Sequence, residues 1–274
     1  MSSSPGAAPP RPRSRNERPI PTPMIVLDHV TQWFAAPAGR TMALHDVSLR
    51  IAPGEFVSLI GPSGSGKSTL LRIIGDLLPP TGGQVQVNGK SPREARRARD
   101  YGIVFQSPVL YDWRTVRRNV ELPLEVMGYP RKEWMPRAER MLELVGLQQF
   151  RAHYPWQLSG GMQQRVAIAR ALAFSPPILL MDEPFGALDE LTRERMNQEL
   201  LGIWAQTRNT VVFVTHSIAE AVFLSSRVAV LTPRPGRIEE IVAIDLPYPR
   251  TATTRKDPRF FDLVTRVRSA LREA

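Results

Sequence analysis

The stretch GEFVSLIGPSGSGKSTLLRIIGDLL (residues 54–78) decides the fold. It opens with an apolar run of buried-strand length. It closes with KSTLLRIIGDLL, whose apolar residues recur at helical spacing. Between them GPSGSGKST, Gly61 to Thr69, fits the pattern G-x-x-x-x-G-K-[ST]. The chemistry explains the spacing. Glycines let the backbone wrap closely around phosphate oxygens, so that N–H groups point inward. Gly61, Ser63, Gly64, Ser65, Gly66 and Thr69 are therefore expected to cradle a nucleotide's phosphates. Lys67 reaches the β- and γ-phosphates, and Ser68 offers a hydroxyl to Mg²⁺.

Downstream, ILLMDE (178–183) ends a buried apolar strand in two carboxylates, Asp182 and Glu183. Buried carboxylates without cations are costly. Beside a phosphate loop, Mg²⁺ supplies that charge. Asp182 then serves the metal, through water, and Glu183 is placed to polarise an attacking water as general base. These features describe a Mg²⁺-dependent P-loop nucleotidase. A second phosphate-shaped feature lies between them. LSGGM (158–162) heads the helical run MQQRVAIARALAF. The unpaired N–H groups and the dipole of a helix start, worth about half a positive charge, suit an anion. One chain with one phosphate loop has no evident use for it.

Around these motifs the chain divides into regions. MIVLDHV (24–30) and ALHDVSLRI (43–51) are expected to be strands, with AAPAGRT between them as a loop. From about 115 to 150 helical patterns dominate, in TVRRNVELPLEVMG and KEWMPRAERMLELVGL. In the second, Trp134, Met141, Leu142 and Val145 share one side. Then PILLMDE, TVVFVTH and RVAVLTP return as strands, with the helix ELTRERMNQELLGIWAQT after the first. Apolar strands separated by helices imply a mostly parallel sheet covered on both faces. GRIEEIVAIDLP and a helix near 259–271 follow.

Composition narrows the class. With 274 residues and 42% hydrophobic residues, a sizeable core is available. The absence of cysteine excludes disulfides and thiolate metal sites. No apolar run approaches the roughly 20 residues that span a bilayer. Residues 1–23, rich in Pro and Arg, lack the apolar core of a signal peptide and are expected to be a disordered leader. The net charge of +10 is compatible with nucleic acid, an anionic membrane surface or a solvated exterior. It is spread over the leader, REARRAR (93–99) and the C-terminal tail. No aromatics interleave with the basic residues of REARRAR, as a single-strand binder would want, and no nucleic-acid partner is expected.

LSGGMQQRVAIARAL, LLMDEPFGALD and FVTHS, taken with GPSGSGKST, closely resemble the ATP-binding cassette (ABC) ATPases over about residues 24–250. The resemblance implies an α/β fold: a P-loop (RecA-like) core with a mostly parallel sheet, an N-terminal antiparallel β subdomain and a helical subdomain inserted at about 107–160. Residues 251–274 would be a helical tail with no room for a regulatory domain. It also implies a head-to-tail pair of cassettes with ATP and Mg²⁺ between them. Ser159, Gly160 and Gly161 would then bind the γ-phosphate held by a partner's Lys67. Gln106 in VFQSP matches the loop linking Mg²⁺, water and the helical lobe. His216 matches the switch histidine at the γ-phosphate, and Asp189 the loop that touches the opposite subunit. Phe34 or its neighbour Trp33 matches the aromatic that stacks on adenine.

No expected catalytic group is missing, so the resemblance implies an active ATP hydrolase. The segments 182–204, 215–238 and IDLPYPR (244–250) resemble importers of nitrate, sulfonates and taurine. That implies integral membrane permease subunits, a periplasmic or lipoprotein solute-binding protein, and a peripheral place on the cytoplasmic face of the plasma membrane. Tyr111 and Trp113 suit a groove for the permease. The rival is a soluble ABC ATPase acting on nucleic acid or ribosomes. It fits poorly, since only a compact lobe separates the phosphate loop from LSGGM and a single cassette is present. A kinase-type P-loop enzyme is opposed by LSGGM and the histidine.

Overall fold

The computed structural model describes residues 22–36 and 39–273. The expected leader therefore lies outside the described residues as far as residue 21. Three strands, β1 (Ile25–Ala36), β2 (Gly39–Ile51) and β4 (Gly82–Val87), form an antiparallel sheet in the order β2-β1-β4. A six-stranded sheet has β3 (Phe56–Ile60), β5 (Tyr101–Val104), β6 (Ile178–Asp182), β7 (Thr210–Val214), β8 (Arg227–Leu231) and β9 (Ile238–Ala243). Its order is β5-β6-β7-β3-β8-β9, parallel except for β9. The helices are α1 (Lys67–Ile74), α2 (Pro92–Ala98), α3 (Val116–Val126), α4 (Arg131–Leu144), α5 (Gly160–Leu172), α6 (Glu190–Thr207), α7 (Ile218–Leu224) and α8 (Pro258–Glu273).

The all-apolar central strands bury both faces. On β3, Phe56 and Ile60 enter the layer shared with α3, α5, α6, α7 and α8, while Val57 and Leu59 face α1 and the antiparallel sheet. β7 divides likewise, Val211 and Phe213 against Val212 and Val214, as a period of two requires. Phe213 is fully buried, with ring centroids 5.8 Å from Phe56 and 6.1 Å from Phe185. Phe213→Ala should cost about 3–5 kcal/mol of unfolding free energy. A denaturant titration checks this, and a loss under about 1 kcal/mol would mean the layer collapses to fill the hole.

Register sets up the site. Leu59 and Asp182 both pair with Val214, so the carboxyl ends of β3, β6 and β7 lie level. Ligands of open parallel sheets bind beyond such ends. The phosphate loop, the Asp182–Glu183 pair and His216 all follow directly from them.

Several sequence expectations change in detail. The expected loop at 35–41 is mostly hairpin: Ala35 pairs with Arg40 and Phe34 with Thr41. The helix expected over 67–78 stops at Ile74, where Gly75 donates to Leu71 O and Leu77 to Arg72 O. On α4, Leu142 is buried, followed by buried Val145, and Trp134 and Met141 pack against the same core. REARRAR forms α2, started by a reciprocal Ser91–Glu94 capping box, with Arg96 paired to Asp76 at 2.8 Å. Its arginines are thus a solvated helix face.

Candidate functional site

The phosphate loop closes on its own lysine. Gly64 and Gly66 have φ of 80° and 86°, the left-handed region that favours glycine. A Cβ on Gly66 would also lie 2.5 Å from Leu44 Cδ2 and 3.0 Å from Ala43 O, so this glycine is required twice over. Lys67 begins α1 and is buried. Its Nζ donates to Gly61 O at 2.9 Å and Pro62 O at 3.0 Å, with Ser65 Oγ at 3.4 Å. Burial pushes the ammonium below the usual lysine pKa, and the Glu183 and Asp182 carboxylates oppose that shift.

Ser68 Oγ donates to Asp182 Oδ1 at 2.7 Å. A hydroxyl and a carboxylate oxygen are the hard donors that Mg²⁺ takes. No cluster of three or more His, Cys, Asp or Glu suited to a metal occurs among the described residues. The pair thus fits an ion that leans on one or two protein oxygens and on substrate phosphates. Glu183 has a left-handed φ of 46°, held by its N–H to Val214 O (3.0 Å) and by Gly186 N–H to its carbonyl (3.1 Å). Its Oε2 lies 3.3 Å from His216 Nδ1. Gln106 comes to the same place: a Cβ on Gly186 would meet Gln106 Nε2 at 3.3 Å and Glu183 Oε2 at 3.5 Å.

An open cavity of about 610 Å³ joins Lys67, Ser68, Glu183 and His216, while Asp182 and Gln106 stand outside its lining. Phe34, Ala35, Thr41 and Ala43 of the hairpin make one wall. Ser63, Gly64, Gly66, Lys67, Ser68 and Thr69 make another, with Glu183 and His216 beside them. Phe34 lines the cavity and its neighbour Trp33 does not. Gly61 and Ser65 stand behind the lining, packed together: a Cβ on Gly61 would lie 2.7 Å from Ser65 Oγ.

Ser159, Gly160, Gly161 and Asp189 are not on this wall. Ser159 caps α5 by accepting from Met162 N–H at 3.4 Å. Asp189 caps α6 by accepting from Thr192 N–H at 3.0 Å, and such backbone bonds hold its carboxyl below the usual range. The two helix starts pack together, Gly160 beside Leu188 and Gly161 beside Thr192 and Met196.

Three polar residues went unread in the sequence. Gln164 and Arg170 lie inside the apolar stretch of α5. Gln164 Nε2 donates to Phe105 O at 2.9 Å, and Arg170 donates to Pro108 O and Val109 O, both at 2.7 Å. They tie α5 to the loop that carries Gln106. Arg234, from the loop after β8, lines the cavity. A polar residue at a buried helical position is the signal for Gln164; nothing local marks Arg170 or Arg234.

The profile described as ABC transporter matches residues 44–186, over half of the chain. The chain belongs to the ABC transporter family. It is 46% identical over 254 residues to the nitrate import ATP-binding protein NrtD of Synechocystis, covering 90% of this chain and 95% of that one. It is 45% identical over 256 residues to the taurine import ATP-binding protein TauB of Rhizobium johnstonii, covering 90% and 96%. Among solved structures it resembles the dimeric cassette MJ0796, with TM-score 0.71 and 42% identity, over 82% of this chain and 100% of the other. The same cassette is known in a dimeric post-hydrolysis state with ADP and Pi, at 40% identity and TM-score 0.70 over the same shares. As an ABC ATPase this protein binds ATP with Mg²⁺ and hydrolyses it. Among the described residues no helix is long and apolar enough to cross a membrane.

Proposed function

We propose that this ABC ATPase powers import of a small solute of the nitrate, sulfonate or taurine class through separate membrane subunits. The reading places it on the cytoplasmic face of the plasma membrane, with a solute-binding protein delivering cargo. The names of its nitrate and taurine relatives support the class. The observation that carries the rest is the divided site. Lys67 lines the cavity, while the helix start at Ser159, Gly160 and Gly161 does not. A second copy, placed head to tail, would bring that start to the phosphates, with Asp189 beside it at the contact.

In this reading Phe34 stacks on adenine. The phosphate loop and Lys67 hold the β- and γ-phosphates. Ser68, Asp182 and Gln106 would hold Mg²⁺, which when bound would offset phosphate charge. Glu183 accepts a proton from water as the water oxygen bonds to the γ-phosphorus and the bond to the bridging oxygen breaks. His216, 3.3 Å from Glu183, fixes that carboxylate and faces the γ-phosphate. Phe34→Ala should raise the KM for ATP roughly tenfold, on the scale of about 1–3 kcal/mol for base–aromatic stacking. Trp33→Ala should leave it unchanged. The reverse result in steady-state kinetics would reassign the stack to Trp33.

The membrane contact falls on the helical side of the Gln106 loop. Tyr111 and Trp113 stack there at 4.7 Å, and Trp113 is 73% exposed. Exposed aromatics of this kind suit a partner's surface. Affinity purification from detergent-solubilised membranes tests the reading. It should recover a polytopic membrane protein. Recovery of ribosomes or DNA instead would favour the soluble alternative.

A further inference from the structure

The loop that follows β8, Thr232 to Arg237, interlocks with both walls of the nucleotide cavity. Gly236 N–H donates to Ala43 O at 2.9 Å, and His45 N–H donates back to Gly236 O at 2.9 Å. On its other side Gly236 lies against the phosphate loop, where any Cβ would overlap the Ser65 carbonyl oxygen. The loop is braced internally as well. Thr232 Oγ1 accepts from Arg237 N–H at 2.9 Å and donates to Pro235 O at 3.0 Å.

Arg234 projects from this braced loop between two prolines, whose rings restrict the chain around it. Its guanidinium comes within 3.5 Å of where a Cβ on Gly64 would stand, at the phosphate-binding turn. Among the described residues it has no ion pair and no hydrogen bond. The charged side chains on the cavity wall are Lys67, Glu183 and Arg234. Lys67 and Glu183 balance, so Arg234 gives the wall its net positive charge. A guanidinium suits phosphate because its planar fork matches two oxygens at once. The braced loop fixes the backbone from which it projects, so only the side chain itself is ordered when it engages one.

We propose that Arg234 is a nucleotide-binding residue, adding a second cation to Lys67 at the polyphosphate. The proposal rests on the assignment of this cavity as the ATP site. Its effect falls on ground-state binding: the loop adjoins Gly64 and Ser65 rather than the Glu183–His216 pair.

Equilibrium binding of ATP, ADP and adenosine by the full chain tests it, with Arg234→Ala and Arg234→Lys beside wild type. Arg234→Ala should weaken ATP and ADP roughly tenfold, the scale of one charge-assisted hydrogen bond, and leave adenosine unchanged. Arg234→Lys, which keeps the charge and loses the fork, should restore only part of the loss, and kcat at saturating ATP should stay within about threefold of wild type. The nucleotide-free melting temperature should not move. ATP affinity within twofold of wild type for Arg234→Ala would overturn the proposal. An equal loss for adenosine, or a fall in melting temperature that lysine does not repair, would overturn it too. Lys67→Ala, run in parallel, separates the two readings: if that variant still binds ATP normally, the cavity assignment fails and not the arginine alone.

Discussion

Glu183→Gln lowers ATP turnover by roughly 10²–10⁴-fold, the usual span for removal of a general base, while ATP still binds. The substitution is nearly isosteric, so it keeps the shape that the backbone imposes. The left-handed φ of 46° at this residue is fixed by the Val214 and Gly186 bonds and not by the carboxylate. What disappears is a proton acceptor beside His216 Nδ1. In the proposed reading, nucleotide affinity rests on other groups, Phe34 and the phosphate loop, and should change little. The stalled protein should therefore elute as an ATP-stabilised dimer in size-exclusion chromatography. Hydrolysis within a few fold of wild type would take Glu183 out of the role.

The second large effect appears on mixing two inactive variants. Lys67→Ala removes the only lysine on the cavity wall. Ser159→Asp keeps a side-chain oxygen that can cap α5, and negative charge is favourable at a helix start, so the fold should hold. It also sets a carboxylate where the partner's γ-phosphate is expected. Each variant alone should lose nearly all ATPase activity. In a mixed head-to-tail dimer one site collects both lesions and the other collects neither. Activity should thus reappear when the two preparations are combined. Full activity of either variant alone, or no recovery from well-folded mixtures, would contradict the shared-site arrangement.

How much of this was legible in the sequence depended on how local each feature is. The phosphate loop, the strand ending in Asp182 and Glu183, and the helix headed by LSGGM are set by contiguous residues, and each element forms where its motif stands. The choice between Trp33 and Phe34 could not be read, because it depends on register across a hairpin whose bulges shift the pairing. Around 35–41 Ala, Pro and Gly suggest a loop, while cross-strand pairing extends both strands into it. Arg234 was out of reach for a different reason. It arrives from a distant loop, and only the contacts of Gly236 with Ala43 and Ser65 bring it to the pocket.

The anchoring of α5 has a mechanical meaning. This thirteen-residue rod starts at the glycines after Ser159, and Gln164 and Arg170 fasten its flank to the backbone at Phe105, Pro108 and Val109. An α-helix of that length is about 20 Å long and resists bending. In the proposed head-to-tail pair, a push on the segment around Tyr111 would pass through these bonds to the rod and tilt its tip, which would face the neighbour's fuel rather than its own.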